Sequence, residues 1–296
     1  MIQTAALILL LLCQDDAYKA VDKDEIQTVL GKLSSDEFEG RRTGTKGIQK
    51  AREYMIGLLK EWGVKSVDGS YEQDWGGCKN ILAWSEGSDP ELKKEVIILG
   101  SHYDHLGLST KTGEDDKVFN GADDNGSGTC GLMAIAEALA GYGPMRRSVA
   151  LIWVSGEEKG LWGSNAWTQD PWLPGEAKPV CDINIDMIGR NAPDKLLITP
   201  TQARKEHNGL VRLAEKLAPL EGFPQLGSCD DYWSRSDHIN FSKNLKIPVT
   251  FLFADIHEDY HQSTDDPEKI DVDKIRRVAR LVVRMIEDLQ ADQLDL

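Results

Sequence analysis

The chain has 296 residues, 41% of them hydrophobic and 28% charged, an ordinary globular composition long enough to bury a large core. Its net charge of −15 excludes an electrostatic nucleic-acid surface, which needs clustered Lys and Arg.

The first residues read MIQTAALILLLLC. The apolar run from Ala5 to Leu12 is too short for a membrane span of about 20 residues and fits the core of a signal peptide. This predicts an export segment over residues 1–20, one domain over 21–296, and no transmembrane helix. Cys13 follows a run of leucines and offers a lipid attachment point, although Leu12 is bulkier than the residue preferred there. The protein is therefore expected to be periplasmic, secreted or held at the cell envelope. Cys78, Cys130, Cys181 and Cys229 form no CxxC pair, so a metal site must be built from His and carboxylates. No feature of the sequence fixes an oligomeric state.

The stretch from Asp24 to Leu33 reads as a short helix, and LSSDEFEGRRTGTKG as a loop punctuated by glycine. In IQKAREYMIGLLKEWG, apolar residues at Ile48, Ala51, Met55, Leu58, Leu59 and Trp62 have helical spacing. KNILAWSEG and EVIILGS read as strands. After Thr129, a stripe of Leu132, Ile135, Ala136 and Leu139 predicts a helix capped by Ser127 or Thr129. SVALIWVSG, VCDINID, KLLITP and IPVTFLFAD are further strands, with a helix around Lys205 to Ala218. The chain closes on a helix that presents Ile275, Val278, Val282, Met285, Ile286 and Leu289. Apolar strands alternating with helices predict a three-layer α/β/α fold around a mostly parallel or mixed sheet.

Ligands of such sheets lie beyond the carboxyl ends of the strands. His102 and Asp104 follow one strand, Glu157 and Glu158 the next, Asp186 ends a third, and His261 trails a fourth. Asp123 and Asp124 occupy a glycine-rich loop between the first two. Carboxylates gathered this closely need a cation, or they must protonate at a cost. In SHYDHLG, alternation points His102 and Asp104 the same way. His102 is then placed to bind a metal while the Asp104 carboxylate fixes its tautomer, and His105 faces away as a structural residue. In SGEEKG, Glu158 serves as ligand and Glu157 as the holder of a water proton.

GSHYDHLG, NGADDNGSG, SGEEKGLWGS, NIDMIGR and YHQSTDD, in this order, resemble the zinc aminopeptidases of peptidase family M28. LSSDEFEGRRTGTKG and SRSDHINF are similar to that family too, and the resemblance runs from about Leu33 to about Ile286. It implies a metallo-exopeptidase fold of the phosphorylase/hydrolase-like type and a pair of Zn2+ ions, replaceable by Co2+ or Mn2+. His102 and Asp186 would hold one ion, Glu158 and His261 the other, and Asp123 would bridge them. Asp104 would support His102, and the Asp123–Asp124 peptide would be cis. Glu157 would take the proton of a metal-bridged water that attacks a peptide carbonyl. The implied substrate is a peptide, cut at its amino end. A dipeptidase, carboxypeptidase or glutaminyl cyclase on the same fold, or a non-catalytic binding protein, are the alternatives.

Three further expectations follow. HEDYH, His257 to His261, matches the HExxH zinc motif, but no amphipathic helix supports it, and the resemblance uses only His261. Tyr232, Trp233 and Asp237 are candidates for the substrate pocket, with Tyr232 as a possible oxyanion donor and Asp237 and His238 as structural neighbours. About 70 residues separate Leu33 from His102, already used by helix and strands, which leaves no room for an inserted protease-associated domain.

Overall fold

The computed structural model describes residues 16–110 and 116–296. The apolar N-terminal run and Cys13 lie outside the described residues. Residues Ala17–Ala20, inside the expected leader, form one helical turn. Ala17 is buried, its N–H is accepted by Glu287 at 2.8 Å, and the Tyr18 ring lies under the Arg284 guanidinium.

The sheet strands are β1 (Glu72–Trp75), β2 (Cys78–Ser85) and β3 (Glu95–His102). A two-stranded ribbon, β4 (Gly107–Leu108) with β5 (Val118–Phe119), follows. Then come β6 (Ser148–Val154), β7 (Lys178–Ile185), β8 (Leu197–Thr199), β9 (Gly227–Ser228) and β10 (Val249–Phe253). Eight of them make one mixed sheet in the order β1-β2-β6-β3-β7-β10-β8-β9. Its centre, β6-β3-β7-β10, is parallel, and β2 and β8 flank it antiparallel. Parallel strands covered on both faces are apolar throughout, and every residue of β6 is buried.

Alternation sorts these residues into two cores. Ile97, Leu99, Leu151 and Ile183 face one layer. It is built from α1 (Lys23–Leu33), α2 (Lys46–Glu61), α3 (Gly128–Tyr142), α5 (Gly209–Leu217) and α7 (Val272–Asp288), where α4 (Trp162–Gln169) belongs to the opposite side. Val96, Ile98, Ala150 and Ile152 face that opposite layer, against Trp167 of α4 and against Phe241, which follows the short helix α6 (His238–Asn240). The three-layer α/β/α expectation holds.

Local chemistry explains the helix boundaries. Asp22 accepts the Glu25 N–H at the start of α1, and Asp271 accepts the Lys274 N–H at the start of α7, each satisfying a donor that the first turn leaves open. α5 begins at Gly209, later than expected, because Asn208 caps it through the N–H groups of Leu210 and Val211. Neither expected cap serves α3. Ser127 donates to the Asp123 carbonyl, Thr129 donates to the His102 carbonyl, and the Asn125 side chain accepts the Gly128 N–H.

Candidate metal centre

Strand ends position the site. His102 is the last residue of β3, Asp186 follows β7 at once, Glu157 lies three residues beyond β6, and His261 follows β10 after a turn. The central strand β3 is connected onward to β6 on one side, and β6 returns to β7 on the other. Such a reversal opens a crevice at the carboxyl ends of the strands.

The loop before α3 carries the central carboxylate, and it is fastened from four directions. The Asp265 side chain accepts the N–H groups of Asp123 and Asp124 at 3.0–3.1 Å. Asn125 donates to Ser101 Oγ and the Ile185 carbonyl. The fully buried Arg41 guanidinium donates to the carbonyls of Leu33, Tyr103, Asn120 and Gly121. Gly121 has φ +55°, and a Cβ there would sit 2.3 Å from the Asp124 carbonyl and 2.4 Å from the His105 ring. Only glycine meets both demands.

Within this frame the aspartate that lies between His102 and His261 is Asp124, one position after the residue expected there. Asp124 Oδ1 lies 3.5 Å from His102 Nε2, and Asp124 Oδ2 lies 3.1 Å from His261 Nε2. Around them, His102 Nε2 is 3.3 Å from Asp186 Oδ1, and His261 Nε2 is 3.4 Å from Glu158 Oε2. Asp123 does not join this cluster: its Oδ1 accepts the Gly189 N–H at 2.7 Å and its Oδ2 lies 3.3 Å from His257 Nε2. The cis peptide is likewise one residue later than expected, between Asp124 and Asn125.

Two other expectations change. His105 faces the cluster, with Nδ1 at 2.9 Å from Glu158 Oε1 and 3.8 Å from Asp124 Oδ2. β3 ends at His102, so strand alternation no longer applies three residues later. Asp104 meets His102 Nδ1 through its backbone carbonyl at 3.2 Å rather than its carboxylate at 3.7 Å. The carboxylate instead accepts from Thr43 Oγ1 and from the Glu157 N–H, which fixes the start of the Glu-Glu turn. The HEDYH segment is a turn, not a helix. His257 points to Asp123 and only His261 reaches Asp124 and Glu158.

The donor set fits divalent cations. Two groups of donors, His102, Glu157 and Asp186 in one and His105, Asp124 and Glu158 in the other, have ligand atoms within 4.8 Å of one another. His261 is in neither group, but its Nε2 lies 3.1 Å from Asp124 Oδ2 and 3.4 Å from Glu158 Oε2. Donors around a tetrahedral zinc at 2.0–2.2 Å stand about 3.4 Å apart, close to the spacings seen. Buried Asp186 Oδ1 and His105 Nε2 make no hydrogen bond among the described residues, and buried polar atoms seldom go unpaired. His105 Nδ1 and Glu158 Oε1 face each other at 2.9 Å without hydrogen-bond geometry. Without a cation the charges distort one another. Burial opposes the charged form of His261, yet Asp124 and Glu158 push its pKa up to about 10. Burial, outweighing the nearby His102, raises Glu157 well above the ordinary carboxylate range.

The adjoining cleft, open to solvent, takes in about 420 Å3 of space between its walls. Tyr232 lines it, but Trp233 and Asp237 do not. Trp233 packs on His238 and under Arg204, and the Asp237 carboxylate accepts from Ser164 behind the wall. The sequence reading missed Tyr260, which stacks on His261 at 3.9 Å and also lines the cleft.

A metal-competent donor set thus lies at the crevice of an α/β/α sheet. The profile of peptidase family M28 matches residues 80–286, and the chain belongs to that family of zinc-dependent peptidases. A probable leucine aminopeptidase of Arthroderma otae is 25% identical over 295 residues, covering 90% of this chain and 76% of that protein. Leupeptin-inactivating enzyme 1 of Streptomyces exfoliatus is 28% identical over 229 residues, covering 76% of this chain and 47% of its own length. The chain thus spans about three quarters of the first relative and about half of the second. Among solved structures, a Zn-dependent exopeptidase of Parabacteroides distasonis aligns with TM-score 0.71 at 19% identity, covering 92% of this chain and 99% of that one. A glutaminyl cyclase of Porphyromonas gingivalis aligns with TM-score 0.72 at 20% identity, covering 90% and 98%. The shared fold therefore hosts more than one reaction.

Proposed function

We propose that this chain is a two-metal exopeptidase that removes residues from the free amino end of peptides. One observation carries the reading: the two oxygens of Asp124 face two separate histidine–carboxylate pairs. In this assignment His102 and Asp186 would hold one ion and Glu158 and His261 the other, with the Asp124 carboxylate shared between the two groups. Bound zinc supplies a Lewis acid and water activated near neutral pH. Glu157 takes the proton of the attacking water and returns it to the departing amine. The Asp104 carboxylate on the Glu157 N–H keeps it in place. Tyr232, whose ring packs on Phe253 beside the cleft, is the candidate donor to the developing oxyanion.

The amino-end preference rests on the relatives' names and on a small cleft, and hydrolysis tests it. An unblocked peptide, its N-acetylated form and its C-amidated form are compared with and without chelator. Loss of cleavage on acetylation alone supports an aminopeptidase. Pyroglutamate formation from an N-terminal glutamine peptide, with one metal per chain, would replace this reading with a cyclase.

We also propose export, to the periplasm, the medium or the cell envelope; Cys13 offers a lipid attachment point only for the last of these. The packing of Ala17 and Tyr18 on α7 supports a leader that ends before Ala17 rather than at residue 20. N-terminal sequencing of the mature protein tests the boundary, and a mature chain starting at residue 21 would contradict it.

A further inference from the structure

Resting on the peptidase reading, we propose that Arg235 is a substrate anchor, so that the site prefers short peptides carrying a carboxylate close to the bond that is cut. The cleft has one acidic end, at Asp124, Glu157 and Asp186, and an aromatic wall that includes Phe251 and Phe253. Arg235 is the one Lys or Arg among its lining residues. Other arginines near the site are engaged: Arg41 with four carbonyls, Arg190 with Asp259, and Arg204 with Glu206 and the Trp233 ring. The Arg235 guanidinium, exposed to solvent, has no ion pair or hydrogen bond among the described residues.

Its backbone is fixed on both sides. The Arg235 N–H is accepted by the Tyr232 carbonyl at 2.9 Å, and the next residue, Ser236, donates to Asp186 Oδ2 at 2.7 Å. Arg235 is thus next to a residue that donates to a proposed metal-holding carboxylate, and it lines the same cleft. A dipeptide spans at most about 7 Å, so its scissile carbonyl and its terminal carboxylate fit in one cleft between the acidic end and the guanidinium. Arginine binds carboxylates through two parallel N–H bonds, and a chain of net charge −15 gains from a local cation when it takes an anionic substrate. The same carboxylate chemistry is offered by a peptide's free terminus and by an acidic side chain.

Binding separates these sources without relying on turnover. Calorimetry on the zinc-loaded E157Q protein, with and without R235Q, compares leucyl-leucine, leucyl-leucine amide and glutamyl-leucine amide. We expect leucyl-leucine to bind about tenfold tighter than its amide, in line with a charge-assisted hydrogen bond, and R235Q to erase that advantage. An advantage of glutamyl-leucine amide over leucyl-leucine amide that R235Q erases would support the anchor with an acidic side chain as its partner. Equal affinities for all three, no binding of any, or an equal weakening of all three in R235Q would overturn the proposal. Chelator-sensitive cleavage of the same peptides by the native protein reports separately on the peptidase reading.

Discussion

Asp124 and His261 meet at 3.1 Å through the aspartate's second oxygen, while its first oxygen faces His102 at 3.5 Å. A carboxylate so divided is placed to serve two cations, and its neighbour Asp123 is not. Replacing Asp124 with Ala should therefore abolish most metal binding and most turnover. D123N should keep both metals and show its effect as a lower melting temperature, because it keeps an acceptor for the Gly189 N–H but replaces the oxygen that faces His257 Nε2 at 3.3 Å with an NH2 group. Metal content and thermal unfolding of the two variants, measured side by side, check this. The opposite pattern would return the bridging role to Asp123.

Glu157 makes a different prediction. It sits with His102 and Asp186 but is assigned to proton transfer, so E157Q should bind zinc as the native chain does. Its kcat should fall by about 10²–10⁴-fold, the range for a lost general base. Full activity in E157Q would remove the assignment.

Arg41 is buried without a carboxylate partner among the described residues and holds four carbonyls, one at the end of α1 and three from two loops. Burial disfavours its charged form and lowers its pKa, so those acceptors must compensate. R41A leaves them unsatisfied and should cost about 3–5 kcal/mol, as when one partner of a buried charged network is deleted. R41K should recover little, because an ammonium cannot match the planar fork. Denaturant unfolding of the metal-loaded protein gives the value.

The polar face of β7 predicts a pH effect. Asp182 is fully buried, and neither carboxylate oxygen has a hydrogen-bond partner among the described residues. Burial, with a smaller contribution from Asp237, raises its pKa well above the ordinary 3.8. The folded state then keeps a proton that the unfolded chain gives up. Its contribution to stability is full below pH 3.8 and declines as pH rises toward the folded pKa, by at most about 1.4 kcal/mol per pH unit. D182N should remove that slope. Unfolding free energies of both proteins between pH 4 and 7 test it, and identical slopes would contradict it.

The sequence exposed most of the architecture because the central strands are apolar without interruption. EVIILGS and SVALIWVSG could hardly be anything but covered strands. The edges were illegible for the same reason: β1 is EQDW and β9 is GS, neither with a pattern to read. The site was legible as a set of loops and misread in detail. Asp123 and Asp124 are chemically identical neighbours in a loop without periodicity, and what aims one of them at the histidines comes from elsewhere. Asp265 holds both backbone N–H groups, Gly121 sets the turn, and Asn125 locks the far side. His105 was misplaced because the alternation rule was carried past the end of β3. Arg41 was passed over because a basic residue in a polar glycine-rich stretch gives no sign that it is buried.

Anomalous diffraction from zinc-loaded crystals tests the central claim most directly. Two peaks should flank the Asp124 carboxylate, one beside His102 and Asp186 and the other beside Glu158 and His261. A single peak, or a peak between Asp123 and His257, would contradict the account.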